Sequence, residues 1–232
     1  MNPQKLTALA ILCLSLSAFW ACEKATRQSS KTKNRELAIA KNNEAVQMVF
    51  DLRRHSNLHG DSLALVLSLL DESIQADSSY LLPYSLKIRL LNEQNQLTDA
   101  MLSIDDAMRH STNNPDLYLV RGLQYEKMQA PDKAQTDYRQ ALLLSEKQML
   151  ADTTKYYPRF VYAFASYLLH GQQAGLDALA PLKLLDLTAQ ETAQLDSYIK
   201  IIATSKISAN FSHSCNLIIS KLYFAKNRKI SQ

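Results

Sequence analysis

The chain repeats itself. Laying residues 81–114 over residues 115–148, an offset of 34, sets Tyr84 on Tyr118, Lys87 on Arg121 and Leu91 on Tyr125. It also sets Ala100 on Ala134, Ile104 on Tyr138 and Ala107 on Ala141. A repeat of this length is one supersecondary unit that buries its apolar face only against a neighbour. Apolar residues recur at helical spacing, as at Leu63, Val66, Leu67 and Leu70. Only 4 of the 232 residues are glycine and 6 are proline, and 47% are hydrophobic. A chain this poor in glycine does not build a turn-rich β protein, and its core is too large for a disordered one. The fold class is therefore all-α, with helices joined by short turns. Gly60, Gly122, Gly171 and Gly175 compose no GxGxxG, no GxxxxGK[ST] and no GxSxG, which excludes those phosphate loops and that nucleophile elbow.

The second unit, NPDLYLVRGLQYEKMQAPDKAQTDYRQALLL, resembles a tetratricopeptide repeat. The matching residues are Tyr118, Gly122, Tyr125, Ala134, Tyr138 and Ala141. The resemblance implies two helices touching at Gly122 and Ala134, with the tyrosines filling the space beside them and Ala141 leaving room for the next helix. The first unit has Ile88 and Leu91 at the Gly and Tyr positions. A degenerate unit over 47–80 keeps Phe50, Leu70 and Ser73, with Arg54 and Asn57 at those positions. Residues 149–156 read as an insertion, and a fourth pair follows with Phe160, Phe164, Tyr167 and Gly171 at family positions. The implied architecture is a short α-solenoid of about three to four helix pairs over 36–186, clearest at 81–148. Asp61 is expected to cap a helix starting near Ser62, and Pro181 to start or kink another. Thr188 and Glu191 form a capping box that predicts a helix over 189–204, within a C-terminal segment 187–204. The tail 205–232 holds the cluster Leu217, Ile218, Ile219, Leu222, Tyr223 and Phe224, which suits either a last helix or a membrane-surface helix.

The N-terminus has the layout of a secretory signal over 1–21: Lys5, an apolar run from Leu6, and a small residue at Ala21. That run is short for a membrane span, which needs about 20 apolar residues. Its end, Phe19-Trp20-Ala21-Cys22, resembles the lipobox of bacterial lipoproteins. The resemblance implies cleavage after Ala21 and lipidation of the Cys22 thiol, with acyl chains such as palmitate holding the protein at a membrane. Resemblance to repeat lipoproteins of Gram-negative envelopes implies the outer membrane, facing the periplasm. The resemblance implies that Cys13 leaves with the signal and that Cys22 is lipidated, which would leave Cys215 without a partner for an intramolecular disulfide. Residues 22–35 carry a net +4 and read as a flexible basic tether. Residues 197–232 carry +6 with no acid, and the body between carries −7. An acidic body argues against nucleic acid as a partner.

No catalytic constellation emerges. His55 and His59 are four apart but lack a third ligand, and the arginines beside them mark a helix end. His213 and Cys215 lie two apart in a Ser-rich stretch where nothing orients the imidazole. Asp71–Glu72 and Asp105–Asp106 are helical neighbours that diverge by about 100° and read as a solvated face. The chain is read as non-catalytic, with no cofactor, metal or small-molecule substrate. An enzyme with a site in 149–232 would have to use His170, His213 and Cys215. The tetratricopeptide resemblance instead implies a peptide-binding groove on the first helix of each pair. Its groove positions hold Leu82, Ser85, Arg89, Asn92 and Glu93, then Asp116, Leu119, Leu123, Glu126 and Lys127. The Lys and Asn of the family's carboxylate clamp are missing, so chaperone C-termini are not expected. The function implied is a membrane-anchored scaffold or adaptor for a protein or peptide partner. A more specific alternative is an assembly factor for outer-membrane barrels or pili.

Overall fold

The computed structural model describes residues 32–55, 58–152, 156–184 and 187–204. Among them the chain is all-helical, and it divides into two compact units at Tyr80/Leu81. Ala21, Cys22, His213, Cys215 and the tail lie outside the described residues.

The first unit holds α1 (32–54) and α2 (Gly60–Ala76). Three pairs fix them as antiparallel: Arg35 Nε to Asp77 Oδ2 at 2.8 Å, Lys41 Nζ to Glu72 Oε2 at 2.7 Å, and Ser73 Oγ donating to the Ala38 carbonyl at 2.6 Å. Ala38 and Ala45, both fully buried, present the small side of α1 to this packing, and Val66 and Leu70 are fully buried on α2. Helical spacing of these four residues explains why each helix buries one stripe. Three expectations are corrected here. The tether does not reach residue 35, because 32–35 belong to α1 and Arg35 is anchored by Asp77, by Ser79 Oγ at 3.1 Å and by the Tyr80 ring at 5.0 Å. Phe50 is no core residue: it is 57% exposed, with the Arg54 guanidinium over its ring. Asp61 does not cap α2, which begins one residue earlier behind His59 and has no side-chain cap.

The second unit runs α3 (Leu81–Glu93), α4 (Leu97–His110), α5 (Pro115–Lys127), α6 (Pro131–Ala151), α7 (Tyr157–His170), α8 (Gln172–Leu179) and α9 (Ala189–Thr204), with a 3-10 turn at Ala180–Leu184. Each helix from α3 to α9 packs on the next, and α7 also touches α5 and α9. The internal repeat is written into the backbone. After α3, Gln96 N donates to Leu91 O at 2.8 Å and Gln94 N to Leu90 O at 3.1 Å. After α5, Ala130 N donates to Tyr125 O at 2.9 Å and Met128 N to Gln124 O at 3.1 Å. The pivot residues Asn95 and Gln129 are both left-handed, at φ 57° and 58°. A bond spanning five residues around a left-handed residue is the Schellman helix stop. Neither stop uses glycine, so neither is visible in the glycine pattern.

Side chains follow the same offset. Ala100 and Ala134 are fully buried, as are Ala107 and Ala141. A Cβ on Gly122 would press into the Tyr138 ring, lying 2.7 Å from Cδ1, and would sit 3.2 Å from the Ala134 carbonyl. The α5–α6 crossing is therefore set by a glycine facing a tyrosine. Ile88 and Ile104 hold the corresponding positions one unit earlier and are both fully buried. Two medium side chains there take the place of one small and one large, which keeps the filled volume similar. The α7–α8 contact uses the device again, since a Cβ on Gly175 would lie 2.7 Å from Tyr167 Cβ. Gly171 links these helices at φ 92°, a backbone state that suits glycine.

The register shift expected at 149–156 is present: α7 starts at Tyr157, 42 residues after the start of α5 at Pro115, and α6 runs on to Ala151 to take up part of it. Pro181 falls in the 3-10 turn after α8 rather than starting or kinking an α-helix. The capping box at α9 is present: Thr188 N donates to Glu191 Oε2 at 2.9 Å, and Glu191 N to Thr188 Oγ1 at 3.3 Å. Such a cap contributes about 1 kcal/mol. At the other end of α9, Gln172 Nε2 donates to the carbonyls of Ile202 and Ala203 at 3.1 and 2.6 Å. Tyr198 seals the helix onto α7, its ring 4.4 Å from Phe160 and 5.3 Å from Phe164.

Candidate binding face

The first helices of the two repeated pairs, α3 and α5, carry all ten residues expected to line a groove. They divide into three groups. Leu119, Leu123 and Asp116 are 0, 1 and 2% exposed. They are core residues in this structure and line no open face. The cause is α7, which packs against α5 and donates from Tyr157 Oη to Asp116 Oδ1 at 3.0 Å. Leu82, Arg89, Glu126 and Lys127 are half-buried, and Glu93 is exposed.

Ser85 and Asn92 form the third group. Both are buried, and Ser85 Oγ and both amide atoms of Asn92 lack hydrogen-bond partners among the described residues. They are seven residues apart, nearly two helical turns, so they share one line along α3. Arg89 stands between them on the same line, its Nε 3.9 Å from Glu93 Oε1. Buried polar atoms are nearly always satisfied by protein, water or ligand. Ser85 and Asn92 are thus the residues of α3 with hydrogen-bonding capacity left to fill among the described residues. The spacing of the groove positions points to them, but the missing partners are visible only in the fold.

Glu126 occupies on α5 the position that Asn92 occupies on α3. Its carboxyl is pushed up from the usual range by burial alone, and it makes no ion pair among the described residues. A half-buried carboxylate held without a cation is suited to receive one from outside.

The neighbouring charges are spent on structure. Arg121 donates from Nε and Nη2 to the two oxygens of Asp137, both at 2.8 Å. It also lies 3.6 Å from Asp105 and over the rings of Tyr118 and Tyr125. The hydrogen bonds to Asp137, with the Asp105 carboxylate nearby, hold its guanidinium firmly protonated. Asp106 accepts from Tyr84 Oη at 3.2 Å and Arg109 Nη2 at 2.7 Å. Asp105 and Asp106 therefore serve separate inter-residue links rather than a purely solvated face. The signal for Arg121 is its repeat position opposite Lys87, which reads as a repeated positive charge without naming Asp137 as its target.

The described histidines behave as helix ends. His55 Nδ1 lies 2.8 Å from the Asp51 carbonyl in the last turn of α1. His59 precedes α2, and His170 ends α7 with its side chain exposed. Tyr156 and Tyr157 are used in packing: the first meets the Phe160 ring edge-on at 5.5 Å, and the second bonds Asp116. Among the described residues no helix is long and apolar enough to cross a membrane. No protein-family model matches the chain, and no curated protein matches it in sequence.

Proposed function

We propose that this chain is a lipid-anchored helical-repeat adaptor of the bacterial envelope, built as a short tetratricopeptide-like solenoid and devoid of catalysis. The observation that carries the reading is the coincidence of the 34-residue offset in side chains with the same offset in backbone stops at Asn95 and Gln129. Repeated helix pairs of this kind present one helix face again and again, and such faces bind extended segments of other proteins. The line Ser85–Arg89–Asn92 on α3 and the carboxylate of Glu126 on α5 are the groups assigned to the partner. On this face the half-buried Glu126 carboxylate is the group that attracts a basic side chain. Cys22, following Ala21, is the assigned anchor.

Anchoring is tested on the full chain made with its own signal in a Gram-negative host. Mass spectrometry of the N-terminal peptide from washed membranes should find it beginning at an acylated Cys22. The Cys22→Ala form should keep its signal and lack the acyl mass. An unmodified N-terminus at Met1, or a cut elsewhere, overturns the anchor.

A further inference from the structure

The outer side of α6 carries an apolar patch that the adaptor reading leaves unused. Leu143 is 57% exposed and Leu150 is 78% exposed, the largest exposure of any large apolar side chain described. Glu146 and Lys147 between them are exposed and make no ion pair among the described residues. Helical residues turn by about 100° each. Leu143 and Leu150 therefore lie within about 20° of one line, and Glu146 and Lys147 flank that line by about 50° on opposite sides.

This arrangement is self-complementary under one kind of symmetry. Two copies related by a two-fold axis running along α6 meet with the left flank of one against the right flank of the other. Leu143 then meets Leu143, Leu150 meets Leu150, and Glu146 meets Lys147 on both sides. A two-fold axis perpendicular to the helices would oppose like flanks, Glu to Glu and Lys to Lys. We infer that the C-terminal half of α6 is a parallel, isologous contact to a second copy of this chain. Exposed Asp132 and Arg139 lie near the same line further up α6, where they would face their own copies. The helices therefore cross and diverge above Leu143, and the contact spans about two turns. Two turns bury far less than the ~800 Å² per partner of a stable complex. The association is weak and reversible, with a dissociation constant of about 10–100 µM.

Sedimentation equilibrium of the full chain in a density-matched detergent tests this. The wild type should show a monomer–dimer equilibrium. Glu146→Lys turns both attractions into repulsions and should weaken dimerisation about tenfold. The swap Glu146→Lys/Lys147→Glu should restore it to within about twofold. Leu150→Glu, at a site too exposed to matter for folding, should abolish it. The idea fails if the wild type is monomeric up to about 500 µM, well above the expected constant. It also fails if Glu146→Lys changes nothing or the swap does not restore association. None of these outcomes depends on Cys22 or on the α3–α5 face.

Discussion

Gly122→Ala lowers the stability of the second unit by about 1–2 kcal/mol, against the usual direction of such a change. In an open helix the substitution gains roughly 0.5–1 kcal/mol, because alanine is the better helix former. Here the new methyl meets the Tyr138 ring, which is 1% exposed and cannot swing away, and the Ala134 carbonyl of the facing backbone. Overpacking of this kind costs about 1–3 kcal/mol, so the clash outweighs the propensity. Gly122→Leu should cost more than alanine does. The check is urea unfolding followed by circular dichroism, together with hydrogen exchange in α5 and α6. Tyr138→Leu, which makes room, should turn Gly122→Ala from a loss into a small gain. That sign change is the mark of direct contact in a double-mutant cycle. Additive effects of the two substitutions would mean that α5 and α6 do not cross at Gly122.

Arg121→Ala should be costlier, at about 3–5 kcal/mol. It strips both charge-assisted bonds from Asp137, whose side chain is 6% exposed, and leaves a buried carboxylate without its cation. The partnership itself contributes less than this, because burying two charges offsets most of their attraction. Arg121→Met/Asp137→Leu should accordingly recover most of the loss, since no charge is left stranded. Arg121→Lys should stay impaired, because an ammonium cannot donate to both carboxylate oxygens in one plane. Thermal and urea unfolding of the three variants beside the wild type decides it. A double variant no more stable than Arg121→Ala would show that the residues act through volume or ring stacking rather than through the stranded charge.

Much of the architecture could be read from residue spacing. Ala100, Ala107, Ala134, Ala141 and Tyr138 are where a repeated helix crossing requires them, because small and large residues at fixed separation leave a strong periodic trace. The α9 capping box was equally legible, since its chemistry lies within four residues of chain. What escaped was whatever depends on contacts between distant residues or on backbone states open to many side chains. The helix stops at Asn95 and Gln129 use a left-handed residue that is not glycine, so no glycine marks them. The start of α1 was missed because Arg35 looks like part of a basic linker until Asp77 is beside it. Leu119 and Leu123 were placed on an open face by their repeat position, and the packing of α7 on α5 buries them. Of the candidate face, the line Ser85–Arg89–Asn92 was legible as a position. That Ser85 Oγ and the Asn92 amide find no hydrogen-bond partner among the described residues was not, because that depends on what neighbouring elements offer.

The measurement to make first is photo-crosslinking from single positions of the full chain in intact envelopes. A photoreactive residue replaces Arg89 or Glu126 on the candidate face, or Thr98 on the exposed side of α4 as the control. A partner-binding face on α3 and α5 predicts one protein joined from both 89 and 126 and absent from 98. It also predicts that Glu126→Gln weakens the crosslink from position 89 without unfolding the chain. Equal products from all three positions, or products from position 98 alone, would contradict a binding role for this face.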